Sequence, residues 1–176
     1  MKPIIIYYSK TGFTRQYAQW LQEALGCPCV PYQKRRTVSF PQFDTVLFGG
    51  RLHAGRIQGA KWLFNQPCKL KDKRVVLFFT GAMPPDPTAA EKAIQQNIPP
   101  EWRDTVQAFY LWGGLRYEAM GPVDRFMMWG FRRMLAAKKD PAPEEREAAR
   151  MVAQSYDKAS REQLGPLLAY LQTGGQ

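Results

Sequence analysis

Ile4-Ile5-Ile6-Tyr7-Tyr8-Ser9-Lys10-Thr11-Gly12-Phe13-Thr14 is the stretch whose reading decides the fold. An apolar run of strand length stops at a loop that carries three hydroxyls and one glycine, and Tyr17, Ala18, Leu21 and Leu25 then recur at helical spacing. A strand entering a helix through Ser9, Lys10, Thr11, Gly12, Phe13 and Thr14 directs backbone N–H groups and hydroxyls toward one point. The partial positive charge of the helix N-terminus adds to them, so the loop suits a phosphate monoester. No Gly-Lys-Ser/Thr closes it, which excludes a P-loop of the nucleotide-hydrolase kind, and one glycine in place of three excludes the dinucleotide fingerprint. Its place beyond the end of the first strand is where open α/β sheets bind ligands.

A strand and helix alternation continues from there. Residues 29–32 read as a short second strand, and Thr45, Val46, Leu47 and Phe48 as a third that ends at Gly49-Gly50. Residues 59–65 suggest a short helix. The run Arg74, Val75, Val76, Leu77, Phe78, Phe79, Thr80 is the clearest buried strand and reads as central and parallel. Thr88 is expected to cap a helix that runs to about Asn97, and Val106, Ala108, Phe109, Tyr110 and Leu111 form a fifth strand before Trp112-Gly113-Gly114. Five strands with crossovers imply an α/β, doubly wound sheet. Residues 143–155 and 160–172 are expected to be helices, the second opened by a Ser160/Gln163 capping box.

Length and composition fit one domain over residues 1–176, since 176 residues with 45% hydrophobic content can bury a full core. No apolar run approaches the roughly 18 residues that a membrane span needs, and the N-terminus lacks the pattern of a secretory leader. Three cysteines, two of them separated by a single proline, match neither a disulfide framework nor a zinc spacing, so reduced thiols in a cytoplasmic protein and no metal are expected. The formal charge of +10 predicts attraction to anions. Basic residues concentrate in residues 34–74 and 116–139, while most acids follow Asp140. No nucleic-acid motif accompanies the charge, and aromatics such as Tyr32, Trp62 and Phe64 read as readily as core, so no nucleic-acid partner is expected.

The last helix is delayed by an insertion over residues 115–143. Within it Val123, Phe126, Met127, Gly130, Phe131, Met134 and Leu135 fall on one helical face, with Arg125, Arg132 and Arg133 off it and Lys138 and Lys139 at its end. Two readings of that face stay open: packing against the sheet edge, and an interfacial helix drawn through residues 123–139 to anionic lipid on the cytoplasmic side of a membrane.

Ser-x-Thr-Gly-x-Thr after an N-terminal strand resembles the phosphate loop of flavodoxins, which bind flavin mononucleotide (FMN). Gly113-Gly114-Leu115-Arg116-Tyr117, followed by Asp124-Arg125-Phe126-Met127, resembles the insertion that marks the menaquinone-dependent protoporphyrinogen oxidases among flavodoxin-like proteins. The resemblance implies a five-stranded sheet in the order 2-1-3-4-5. It also implies an FMN-dependent oxidoreductase that passes electrons from an organic substrate, such as a porphyrinogen, to a quinone or similar acceptor. A flavodoxin-like electron-transfer protein is the alternative.

On that resemblance the flavin ring lies against residues 49–57 and 80–85. Gly49 and Gly50 would let a peptide near the flavin N5 reorient, with Arg51 and Leu52 beside it. Thr80 and Gly81, with the amides near Ala82 and Met83, would meet the pyrimidine edge, and Trp112 is the aromatic expected at the flavin. Arg51, His53 and Arg56 supply positive or polar groups where electron carriers of this kind place acids, and positive charge favours a reduced, anionic flavin. His53, the only histidine, is a candidate acid or base. Arg116 is a candidate for binding a substrate carboxylate or stabilising the flavin; holding the insertion in place by a salt bridge is its structural alternative.

Overall fold

The sheet runs through the middle of the molecule because its strands are apolar on both faces. The computed structural model describes residues 1–137 and 142–173. We number the five long-sheet strands β1 (Pro3–Tyr7), β2 (Cys29–Pro31), β3 (Thr45–His53), β4 (Arg74–Gly81) and β5 (Val106–Trp112), and the longer helices α1 (Phe13–Leu25), α2 (Pro87–Asn97), α3 (Pro122–Ala136), α4 (Pro143–Met151) and α5 (Gly165–Gln172). The strands are parallel in the order β2-β1-β3-β4-β5, the order 2-1-3-4-5 that the resemblance implies. Alternate residues divide the core. Ile4, Ile6, Val46, Phe48, Leu77 and Phe79 face one side, against Leu63 and the α2 residue Ala93. Ile5, Leu47, Val76 and Phe78 face the other, against Tyr17, Ala18 and Leu21 of α1 and Leu167 and Leu171 of α5.

Several local details differ from the sequence reading. β3 continues past Gly49 and Gly50 to His53, turns at Ala54-Gly55, and pairs antiparallel with Arg56–Ile57. Both glycines are therefore ladder residues, paired with Phe78 and Phe79. They are small because a Cβ at Gly49 would lie 2.3 Å from the Phe78 ring and one at Gly50 2.5 Å from Ile57. Neither glycine sits at the turn expected of Gly49-Gly50; the turn, with left-handed backbone, lies at Ala54 and Gly55, with φ of 47° and 77°.

The cap of α2 is Asp86, whose carboxylate accepts from the Thr88 N–H at 2.9 Å; Thr88 lies inside the helix. α4 ends at Met151, four residues before the expected end, because the chain must extend for Tyr156–Asp157 to pair with Gly114–Leu115. The Ser160/Gln163 capping box does not form. Gln163 turns away from the helix end: its Oε1 accepts from the Trp112 N–H at 2.7 Å and its amide donates to the Lys158 carbonyl. A 3-10 turn over Arg161–Leu164 precedes α5 as a result.

α3 lies across the carboxyl end of the sheet, and its packed stripe is not the one the sequence suggests. Asp124 and Leu135 are buried, Met128 and Phe131 are half-buried, and the last three pack with Leu115 and Val152. Val123, Phe126, Trp129 and Met134 stay exposed, between 54% and 71%. The helix thus carries apolar side chains on two stripes, and only one is covered. Lys138 and Lys139 lie outside the described residues.

Candidate functional site

The loop between β1 and α1 holds its donors open. Gly12 has φ of 99°, which favours glycine, and it leads into α1 with no side-chain cap and no acidic residue in the first turn. Ser9, Lys10, Thr11, Gly12 and Arg15 line a cleft of about 450 Å³ together with Arg116. The Ser9 hydroxyl is buried and has no hydrogen-bond partner. A buried hydroxyl in that state is costly unless something bonds to it, and here it lies in the loop that leads into the uncapped start of α1.

A second cleft, of about 350 Å³, opens beside it. Phe13, Arg51, Leu52, His53, Thr80, Gly81 and Ala82 line it from the sheet side; Leu115, Asp124, Met127, Met128 and Phe131 close it from the insertion. The cleft is mainly apolar, with its polar groups gathered at one end.

Those polar groups centre on Asp124. Its carboxylate lies 3.1 Å from Lys10 Nζ and 3.2 Å from Arg51 Nη2, with His53 Nε2 3.7 Å away. Burial raises the Asp124 pKa, but the Lys10 hydrogen bond and the Arg51 charge outweigh it and hold the carboxyl below its ordinary value. Arg51 Nη2 also donates to His53 Nδ1 at 2.7 Å, so the single proton of neutral His53 sits on Nε2. Burial, then the Arg51 charge, lower the His53 pKa, and Asp124 opposes them only in part. His53 is therefore a neutral N–H donor at pH 7.

The loop after β4 is pinned from behind. Trp112 Nε1 donates to the Ala82 carbonyl at 2.9 Å, Tyr156 OH donates to the same oxygen, and Tyr110 OH donates to the Met83 carbonyl. Trp112 lines neither cleft and positions the loop, which corrects its expected contact with a ligand. Met83 lies in a separate small hollow next to Leu52. Thr14 is also withdrawn: its hydroxyl is buried and bonds Thr80 Oγ1 at 2.8 Å, locking the start of α1 to the end of β4.

Arg116 stands at the first cleft, not the second. It pairs with Asp157 at 2.7 Å and donates to Gln16 Oε1 at 3.1 Å and to the Thr11 carbonyl at 3.3 Å. Its guanidinium lies 4.2 Å from the centre of the Phe13 ring. Of the two alternatives, this is the salt bridge that holds the insertion, placed where its charge also faces the phosphate-type loop. The structure thus brings together Ser9, Lys10, Thr11, Gly12 and Arg116 in one cleft and Phe13, Arg51, Leu52, His53, Thr80, Gly81 and Ala82 in the other. Gly49, Gly50, Thr14, Met83 and Trp112 stay outside both. Asp124 was missed as a site residue, although an acid at the helical spacing of Met128, Phe131 and Leu135 in a basic segment was a visible signal.

A family model described as a flavodoxin domain matches residues 4–142. The chain belongs to the flavodoxin domain family. A comparison with curated proteins gives no match. Among solved structures, a flavodoxin, WrbA-like protein from Agrobacterium tumefaciens is 13% identical, over 86% of this chain and 94% of that one, with a TM-score of 0.48. The Trp repressor binding protein from Bacillus subtilis is 12% identical, over 80% of this chain and 100% of that one, with a TM-score of 0.48. A flavoprotein in complex with FMN from Lactobacillus acidophilus is 17% identical, over 63% of this chain and 91% of that one, with a TM-score of 0.44.

Membership in the flavodoxin domain family makes FMN the cofactor of this site, and the residues present fit it. The orphaned Ser9 hydroxyl, Thr11 and the uncapped α1 N-terminus suit the phosphate. The apolar walls from Phe13, Leu52, Leu115 and Phe131 suit the ring.

Ser9→Ala should weaken FMN binding about tenfold in a fluorescence-quenching titration, since one donor to a charged ligand is lost. Thr14→Val should instead lower stability with a smaller change in affinity. Equal FMN affinity for wild type and Ser9→Ala would count against the phosphate assignment.

Asp124→Asn should cost about 2–3 kcal/mol in urea unfolding near neutral pH, less than for a fully buried pair because Lys10 is partly exposed. The Asp124 pKa is depressed in the folded protein, so its contribution is complete above the unfolded value of about 3.9 and is lost as pH falls through the folded value. Wild type and the variant should therefore converge in stability below about pH 3.9. A constant gap across that range would show that the carboxylate charge is not the cause.

Proposed function

We propose that the protein is an FMN-dependent oxidoreductase that takes two electrons from an organic substrate and passes them to a quinone or similar acceptor. Protoporphyrinogen is the first substrate to test. The observation that carries this reading is the ring-side cleft, roofed by α3, with Arg51 and Asp124 in its wall and Lys10 reaching the same carboxylate from the neighbouring cleft, two cations to one anion. Lys10 and Arg51 face one carboxylate, Asp124, with neutral His53 beside them.

Bound FMN supplies hydride-accepting chemistry at N5. The protein's own residues prepare the site. Ser9, Thr11, Arg15 and Arg116 hold the phosphate end. Phe13, Leu115, Met128 and Phe131 exclude water from the ring end. The surplus positive charge of Lys10 and Arg51 favours negative charge developing in the cleft, which raises the potential at which electrons are accepted. His53 offers its Nε2–H without needing to take up a proton. The resemblance of Gly113 to Tyr117 and of Asp124 to Met127 to the protoporphyrinogen oxidases is the reason for the substrate proposed.

The outer stripe of α3 supports contact with an anionic lipid surface, where a quinone acceptor resides. Phe126 and Trp129 stack 5.7 Å apart on it, and Arg133 lies 5.4 Å from the Trp129 ring. Arg125 and Arg132 are exposed on the same helix. Among the described residues no helix is long and apolar enough to cross a membrane, so contact of this kind is peripheral.

Anaerobic reduction of the FMN-loaded protein, with the potential monitored, should proceed in one two-electron step, and protoporphyrinogen should bleach the flavin with menaquinone restoring it. Two separate one-electron steps at low potential, with no bleaching, would overturn the reading in favour of an electron carrier. In sedimentation with vesicles containing phosphatidylglycerol, wild type should pellet. Arg132→Gln/Arg133→Gln should lose about tenfold or more of the affinity, at about 1 kcal/mol per basic residue. Equal pelleting with neutral vesicles would remove the lipid role.

A further inference from the structure

Behind the hairpin that closes the ring-side cleft lies a larger cavity, of about 710 Å³, that the flavin reading does not use. Tyr8, Ile57 and Phe64 give it an apolar floor, and Arg56 and Lys61 stand at its edge. No carboxylate lines it, and neither cation makes an ion pair among the described residues. Gln58 contributes a side-chain oxygen that is buried and has no hydrogen-bond partner.

The neighbouring amide shows how unusual that is. Asn97 uses its whole side chain, accepting from the Ile57 N–H and donating to the carbonyls of Gly55 and Ala93, all at 2.8 Å. Asn97 thereby ties the hairpin to the end of α2 and fixes the cavity wall, whereas Gln58, also in the cavity lining, keeps its Oε1 closed off and without a donor. A buried acceptor without a donor costs about 1–3 kcal/mol, and the cavity is large enough for a bicyclic ligand.

We propose that this cavity is a second ligand site for an apolar-bodied anion carrying an N–H or O–H donor, such as an aromatic carboxylate of the indole or phenol kind. Arg56 and Lys61 receive the carboxylate, the floor of Tyr8, Ile57 and Phe64 takes the ring, and a turn of the Gln58 side chain into the cavity brings its unpaired Oε1 to the ligand's donor. His53 and Ala54 line both this cavity and the ring-side cleft, so one hairpin turn separates a ligand here from the flavin. The site rests on its own lining residues and does not depend on which electron donor or acceptor the flavin serves.

The test is a titration of ¹⁵N-labelled protein, with and without FMN, using indole-3-acetate as probe and 1-naphthylacetate and indole-3-ethanol as controls. Indole-3-acetate should give saturable shifts at the side-chain amides of Gln58, Asn65 and Asn97, the same with and without FMN. It should bind about tenfold more tightly than indole-3-ethanol, which lacks the charge, and than 1-naphthylacetate, which lacks the donor. Arg56→Ala/Lys61→Ala, at exposed positions, should lose the preference for charge, and Gln58→Leu the preference for indole over naphthalene. Absence of saturable shifts, displacement of FMN by the probe, or unchanged affinity in Arg56→Ala/Lys61→Ala would each overturn the proposal. If FMN does not bind at all but the indole shifts persist, the flavin reading fails and this one stands.

Discussion

One carboxylate joins three parts of the chain that are far apart in sequence. Asp124 reaches from the insertion helix to Lys10 in the loop after β1 and to Arg51 at the end of β3, with His53 at its other oxygen. A buried carboxylate is tolerable only while those cations remain beside it. The helix, the phosphate-side loop and the ring-side hairpin are therefore held in one arrangement, and the cleft between them exists because that arrangement is fixed. The same contact orders the local electrostatics. Arg51 is shared between Asp124 and His53, where burial and then the Arg51 charge keep the imidazole neutral and the Arg51 hydrogen bond leaves its remaining proton on Nε2.

The sheet supports this cluster from below. Gly49 and Gly50 let Phe78 and Ile57 close over β3, so the strand can run on to His53 and carry Arg51 into the cleft. Thr14 and Thr80 lock α1 to β4 through a hydrogen bond between buried hydroxyls. Trp112, Tyr110 and Tyr156 draw the carbonyls of Ala82 and Met83 toward the protein. Residues that a sequence pattern places at a ligand turn out to hold the loops that would touch one. A site needs such supports, since binding groups act only when their backbone is held still.

The insertion helix serves two environments at once. Its inner stripe closes the cleft and packs on Leu115 and Val152, and its outer stripe leaves Phe126 and Trp129 stacked in the open beside arginines. An apolar face read from periodicity alone merges these stripes, because spacings of three and four residues describe any broad apolar surface. Only the position of the neighbouring strand pair, Gly114–Leu115 with Tyr156–Asp157, shows which side is covered. The buried Asp124 on the covered side fixes the rotation of the helix about its axis.

The sequence by itself determined the parallel sheet, the phosphate-type loop and the insertion, and the strand order came with the family resemblance. The first three follow from local patterns: continuous apolar runs of strand length, a turn rich in hydroxyls, and an interruption after the fifth strand. Tertiary structure decided the roles of individual side chains. Arg116 went to Asp157 and the loop after β1, Trp112 to Ala82, Thr14 to Thr80, and Gln163 to Trp112, each by a hydrogen bond between residues distant in the chain. Asp124 became the centre of the site, and Gln58 was left with an unmet acceptor, for the same reason. A side chain's partner depends on which segments the fold brings within hydrogen-bond reach, and that distance is not a property of any local stretch of sequence.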